Sequence, residues 1–158
     1  MEQITTRPAT LADLDTLLTF EQGIIITERP WDPTLKEGEI HYYDIAKMIT
    51  APHVEVVVAE LGSKIIGSGY VRIEDPKPYV KHQKHAFMGF MYVDGSHRGK
   101  GVNKKIIDAL QEWAINQGVN EFRLEVYDGN LSAIKAYEKV GFSKHMITMR
   151  MELPMNDI

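Results

Sequence analysis

The stretch with the clearest chemical potential is Val93-Asp94-Gly95-Ser96-His97-Arg98-Gly99-Lys100-Gly101-Val102-Asn103. It lies between an apolar run at 87–92 and an amphipathic run that starts at Gly101, an order that predicts strand, tight turn and helix. Glycine lets a backbone approach a ligand closely and adopt dihedrals that other residues resist. Consecutive N–H groups at a helix start cradle an anion, and the helix dipole adds to the attraction. The cations His97, Arg98, Lys100, Lys104 and Lys105 oppose that dipole unless an anion sits among them. The stretch therefore predicts a phosphate-binding turn, set against a plain solvated helix-capping turn. No Ser or Thr follows Gly99-Lys100 and no glycine stands at 104, so neither the nucleoside-triphosphate loop nor the dinucleotide G-x-G-x-x-G pattern is present.

A second block begins at Leu124-Glu125-Val126 and continues through Asn130-Leu131-Ser132-Ala133-Ile134-Lys135-Ala136-Tyr137-Glu138-Lys139-Val140-Gly141-Phe142. Asn130, Ala133 and Tyr137 fall on one face of a helix, and seven residues span roughly 10 Å of helix axis. Glu125 and Tyr137 carry groups that accept and donate protons. Each also has a purely structural reading: a solvated strand carboxylate, a tyrosine packing the last helix, and for Asn130 a helix cap. The chain has no cysteine, which excludes disulfides, thiolate metal sites and an acyl-cysteine intermediate. The histidines at 82, 85 and 97 lack a metal-ligand spacing, so no metal is expected.

The two blocks together resemble the GNAT superfamily of N-acetyltransferases. Arg98-x-x-Gly101-x-Asn103 is similar to its coenzyme A turn, Gln/Arg-x-x-Gly-x-Gly/Ala, and Met91-Tyr92-Val93-Asp94 to the strand before it. The block 130–142 is similar to its second motif, Asn-x-x-Ala-x-x-x-Tyr-Glu-Lys-x-Gly-Phe. The resemblance covers residues 54–152 well. It implies an α/β (α+β) acyl-CoA N-acyltransferase fold: a mixed, mostly antiparallel sheet of six to seven strands, strands 4 and 5 splayed, about four flanking helices. It implies acetyl-CoA as cofactor and direct transfer to a primary amine, small molecule or peptide, through a ternary complex. The coenzyme would contact Met91, Tyr92, Val93, Arg98, Gly99, Lys100, Gly101, Val102, Asn103, Asn130, Ala133 and Tyr137. Tyr137 would protonate the departing thiolate, and an N–H near Val93 would serve the oxyanion. Two departures stand out. Gly89 and Phe90 occupy positions where many members carry a basic Glu, which leaves Glu125, as in the similar ribosomal-protein N-terminal acetyltransferases. Asn103 replaces the preferred Gly or Ala. Both keep a non-catalytic coenzyme A-binding sensor or interaction module as the alternative.

The remaining elements must position these groups. The chain of 158 residues is 44% apolar and 25% charged, enough for one domain over 1–158 with a sizeable core. A net charge of −4 argues against a nucleic-acid surface. No run reaches the length of a membrane span or a signal core, so a cytoplasmic protein is expected. Strands are expected at 3–7, 54–60, 65–73, 84–93, 121–127 and 143–153. Helices are expected from Thr10, where an acid follows at Asp13, and at 44–50, 101–117 and 130–139. Gly67 and Gly69 inside a strand predict a close approach or a bulge. The loop at 27–43 would wall the acceptor site through Glu28, Arg29, Trp31, Asp32, Tyr42 and Tyr43, or simply anchor itself with its aromatic rings. Many members of the superfamily dimerise, and the sequence identifies no interface.

Overall fold

The computed structural model describes residues 2–156; the outermost residues of the single-domain reading lie outside these. The elements run β1 (Ile4–Pro8), α1 (Leu14–Glu28), α2 (Ile45–Thr50), β2 (Val54–Leu61), β3 (Lys64–Glu74), β4 (His85–Val93), α3 (Val102–Asn116), β5 (Phe122–Leu124) and α4 (Leu131–Lys139). The five strands form one sheet in the order β1-β2-β3-β4-β5. The first three pairings are antiparallel and β4–β5 is parallel. No helix among the described residues is long and apolar enough to cross a membrane.

The β-branched run of β2 and the centre of β3 are buried because both sheet faces are covered. On one face Val57, Ile66, Val71, Met88, Ile106, Ile107 and Leu110 pack α3 onto the sheet. On the other, Leu17, Phe20, Ile45, Val56, Tyr70 and Phe90 pack α1 and α2. Trp113 joins the first cluster, as its place on the apolar helical face predicts. Gly23 sits inside α1 without ending it, and a Cβ there would meet the Tyr92 ring at 2.8 Å. That space lets Tyr92 stack on Phe20, centroids 4.5 Å apart. At the start of the first helical segment, Asp13 Oδ2 accepts from the Thr10 N–H at 2.8 Å. The same carboxylate takes both arms of the Arg7 guanidinium at 2.8 and 2.9 Å, which holds its pKa below the usual range.

Strand β3 explains its own glycines. A Cβ on Gly67 would lie 2.9 Å from the Tyr92 carbonyl oxygen and about as close to Ile106 and Val102. A Cβ on Gly69 would lie 2.7 Å from Ile106. These residues let α3 settle directly on the sheet. A bulge occurs as well: Ser68 pairs with Tyr92 and Tyr70 with Gly89, so Phe90 and Met91 together oppose Gly69. Phe90 takes the left-handed conformation at φ 54°, uncommon for a bulky residue. The Ser68 hydroxyl donates to the Phe90 carbonyl at 3.1 Å, and Tyr43 stacks on its ring at 5.2 Å.

Two expected strands differ. The run at 121–127 pairs only over Phe122–Leu124. The segment 143–153 forms no strand: it is exposed and without ladder partners among the described residues. Among the described residues the sheet therefore has five strands rather than six or seven. The physical reason is shared, because a strand persists only where a neighbour takes up its backbone groups, and neither segment has the other beside it. We expect Gly67→Ala to lose about 1–3 kcal/mol of stability through overpacking against α3, measured by denaturant unfolding. An unchanged midpoint would show that β3 and α3 are not in the close contact described.

Candidate active site

After the bulge at Phe90 the end of β4 stays paired with β3, Tyr92 with Ser68 and Val93 with Gly67. The parallel pairing of β4 with β5 covers Ala86–Phe122, Phe87–Arg123 and Met88–Leu124 and then stops. Beyond that point Gly89 to Val93 and Glu125 to Tyr127 diverge without ladder partners for each other. A parallel pair that opens midway leaves main-chain N–H and C=O groups facing a gap, where a ligand bearing amides satisfies them.

At one mouth of the gap lies the glycine-rich turn. Asp94 builds it: its Oδ2 accepts from Ser96 Oγ at 2.6 Å and meets His97 Nδ1 at 2.8 Å. These partners hold the Asp94 pKa below the ordinary carboxylate value. Gly99 and Gly101 both take positive φ, 76° and 79°, with no atom within 4 Å of where a Cβ would stand. The turn thus wraps open space. Gly101 caps α3 and offers no side-chain acceptor, so the first N–H groups of the helix, from Val102 to Lys104, look outward for one. Arg98 Nε reaches back to the Val93 carbonyl at 3.4 Å, while Lys100 and Lys105 are exposed. Val102 is buried under the turn and Asn103, in the helix's first turn, is half-buried.

Helix α4 follows β5, and its Tyr137 and Val140 pack against the cluster that also holds Phe122 and Leu124 of β5. Asn130 caps it, its Oδ1 accepting from the Ala133 N–H at 3.3 Å. The Tyr137 ring is half-buried against Phe142, 6.0 Å away at 75°. Burial raises the Tyr137 pKa to about 12, with a further contribution from the Glu28 carboxylate. The phenol therefore keeps its proton through the neutral range. Glu125 is exposed.

The loop after α1 is a folded wall. Asp32 Oδ2 accepts from the Tyr127 hydroxyl at 2.7 Å, and Oδ1 accepts from the Thr34 N–H and hydroxyl. Thr34 and then Tyr127 lower the Asp32 pKa to about 2. Trp31 tilts over Tyr127 at 6.4 Å, and Gly129 gives it room. Glu28 is half-buried, and desolvation raises its pKa. Arg29 is spent on the loop itself, donating to the Lys36 and Gly38 carbonyls at 2.8 and 2.6 Å. Tyr43 packs between Phe90 and Tyr70, an anchoring role. The Tyr42 hydroxyl is buried without a hydrogen-bond partner, and burial followed by the Glu28 charge raises its pKa. The structure thus gathers Glu28, Trp31, Asp32 and Tyr42 with Tyr137, while Arg29 and Tyr43 hold the wall in place. A shallow hollow of about 240 Å³ between β1 and α3, lined in part by Thr6, Arg7, Ala109 and Trp113, contains none of these residues.

The family model described as the acetyltransferase (GNAT) family matches residues 24–142. The chain belongs to that family. Human N-acetyltransferase 8B is 32% identical over 88 residues, which is 55% of this chain and 37% of the relative, so the chain spans well under half of that protein's length. The tetramutant of BH1408 protein from Bacillus halodurans shares the fold with a TM-score of 0.85 at 19% identity, over 94% of this chain and 99% of that one. A predicted acetyltransferase from Clostridium acetobutylicum, solved with acetyl-CoA, gives a TM-score of 0.69 at 19% identity, over 95% and 96%. The GNAT assignment agrees with the mixed sheet flanked by four helices.

Sequence reasoning passed over Glu21, the fully buried carboxylate of α1. It accepts from His41 Nδ1 at 2.7 Å and from the Tyr42 and Tyr43 N–H groups at 3.0 and 2.9 Å. Gln22 adds a bond to the Ile40 carbonyl at 2.9 Å. An acid at a helical position that faces the core was the available signal. Tyr127, bonded to Asp32, was also passed over, because it looked like the end of a strand. Glu21 raises the His41 pKa. A raised folded pKa contributes stability below the unfolded value near 6.5 and loses it as pH rises through the folded value. We expect Glu21→Gln to cost about 1–3 kcal/mol and to flatten the fall in stability between pH 6 and 8, read as Tm against pH. An unaltered slope would remove the His41–Glu21 pair as its source.

Proposed function

We propose that this GNAT chain transfers the acetyl group of acetyl-CoA directly to a primary amine, of a small molecule or a peptide, in a ternary complex. The observation that carries the reading is the opening between β4 and β5 beside a glycine-led helix start with no side-chain cap. The residues present fit the coenzyme: orphan N–H donors and cations suit a diphosphate, and unpaired strand groups suit an amide-bearing arm. Arg98, Gly99, Lys100, Gly101, Val102 and Asn103 would hold the diphosphate. Met91, Tyr92, Val93, Asn130 and Ala133 would border the arm. When bound, the coenzyme supplies an activated acetyl thioester.

The acceptor enters along the wall of Glu28, Trp31, Asp32 and Tyr42. Glu28 and Asp32 give this side negative charge, which selects a cationic amine. A protonated amine must lose a proton before it attacks. Glu125 is the proposed base, through water, given its exposure. Glu28 is the competing one, because burial raises its affinity for a proton and it acts on Tyr137. Tyr137 donates its proton to the leaving sulfur, and a main-chain N–H near Val93 stabilises the charge on the carbonyl oxygen.

Amine-dependent release of free thiol from acetyl-CoA, screened over amines and peptides, tests the reading. We expect turnover, and a loss of about 10²–10⁴-fold in kcat for Tyr137→Phe with coenzyme affinity retained. Coenzyme binding with no release for any acceptor would favour a sensor instead. The base is assigned by pH–rate profiles of Glu125→Gln and Glu28→Gln: the variant that loses the acid-side inflection identifies it. A wild-type profile in Glu125→Gln removes that residue from the role.

A further inference from the structure

The sheet face that packs α1 and α2 continues onto β5, and there its side chains turn polar. Phe122 and Leu124 pack with the cluster under α3, so Arg123 and Glu125 project from the opposite face. Arg72 pairs with Phe87, and Phe87 with Arg123. These three residues form one row across β3, β4 and β5. The Arg72 guanidinium carbon stands 5.3 Å from the centroid of the Phe87 ring and 5.7 Å from that of Tyr70. The side chains of Arg72 and Arg123 are 40 and 37% exposed. Two guanidiniums thus flank one aromatic ring on a face that solvent reaches.

The groups around them leave donors over. Glu74 accepts from Arg72 Nε at 2.8 Å and from its Nη2, and lies 3.0 Å from His85 Nε2. Glu121 is 3.6 Å from Arg123 Nε, and His82 Nε2 is 3.3 Å from Arg123 Nη2. Nη1 of each arginine makes no hydrogen bond among the described residues. A guanidinium with free N–H groups suits a planar carboxylate, and Phe87 beside it offers apolar surface to a hydrocarbon chain.

The next row toward the gap is Tyr70, Gly89 and Glu125. Tyr70 pairs with Gly89, and Glu125 directly follows Met88–Leu124, the last pair of β4 with β5. Two residues of strand separate Glu125 from Arg123, roughly 7 Å. On the acetyl-transfer reading the acceptor's nitrogen lies among Glu28, Asp32 and Glu125. The other end of the same molecule then meets the arginine row. We propose that Arg72 and Arg123 form a carboxylate subsite, and that the acceptor is an amine carrying a carboxylate roughly 7 Å from its nitrogen. The place of the amine rests on the acetyl-transfer reading; the carboxylate subsite rests on the arginine row alone. Acids at one end and guanidiniums at the other fix the direction in which a dipolar acceptor lies.

Two matched acceptor pairs test the proposal: 5-aminopentanoate against pentylamine, and a peptide with glutamate against the same peptide with glutamine at its second position. The carboxylate-bearing member should be preferred in kcat/KM by about 10–100-fold, mainly through KM. Arg72→Gln and Arg123→Gln should each cut that ratio about tenfold, and Arg123→Lys should keep part of it. Preference in one pair rather than the other names a free acid or a peptide as the source of the carboxylate. Ratios near one in both pairs, or a ratio that neither glutamine variant lowers, overturn the proposal. A second readout needs no turnover: the Nε–H resonances of Arg72 and Arg123 in the labelled full chain should move on adding 5-aminopentanoate and not on adding pentylamine. If they move while no amine is acetylated, the transfer reading falls and the subsite stands. If amines are acetylated and the resonances stay still, the subsite falls and transfer stands.

Discussion

One extra residue in β4 governs the rest of the structure. Phe90 in the left-handed region puts two residues opposite Gly69 and ends the pairing of β4 with β5 after three residues. Such backbone conformations persist only where their surroundings over-determine them. Ser68 holds the Phe90 carbonyl, Tyr43 covers the ring, and Gly89 makes room for Tyr70, whose ring would lie 2.6 Å from a Cβ there. The strain is thus tied to α1 and its loop through Tyr43, and to α3 through Gly67 and Gly69. The same few contacts open the gap and position what stands at its two ends.

Those ends differ in charge. The α3 end presents N–H groups with Arg98, Lys100 and Lys105; the loop end presents Glu28 and Asp32. An anion and a cation approaching the gap are drawn to opposite sides, and each finds the sign it lacks. In the proposed reaction Tyr137 serves the point between them: its high pKa, set by burial and by Glu28, would keep a proton where a leaving group needs one. The proposed acceptor wall is held by a buried carboxylate, Glu21, whose three donors come from residues 41–43. A loop with little regular structure is thereby tied to α1.

Much of this was legible in the residues. Apolar periodicity, Gly101 and Gly118 placed α3; Val54 to Ile73 read as a hairpin; Asn130 and Gly141 bracketed α4. Gly67 and Gly69 announced a close approach or a bulge, and the structure has both. The Phe90 conformation was not legible, because an aromatic residue in a strand gives no local sign of positive φ; it follows from what packs on it. Nor was the pairing of Tyr127 with Asp32, 95 residues apart. The tail reads as a strand by alternation, but alternation specifies a face and not a partner.

The central claim is that the opening of β4 from β5, beside the start of α3, is where coenzyme A binds. Titrating coenzyme A into the isotopically labelled protein and following backbone amide resonances tests it most directly. The account predicts the largest shifts at residues 91–93 and 98–104, with smaller ones along α4. Saturating coenzyme that leaves those amides unmoved, or that shifts a different face of the sheet, would contradict it.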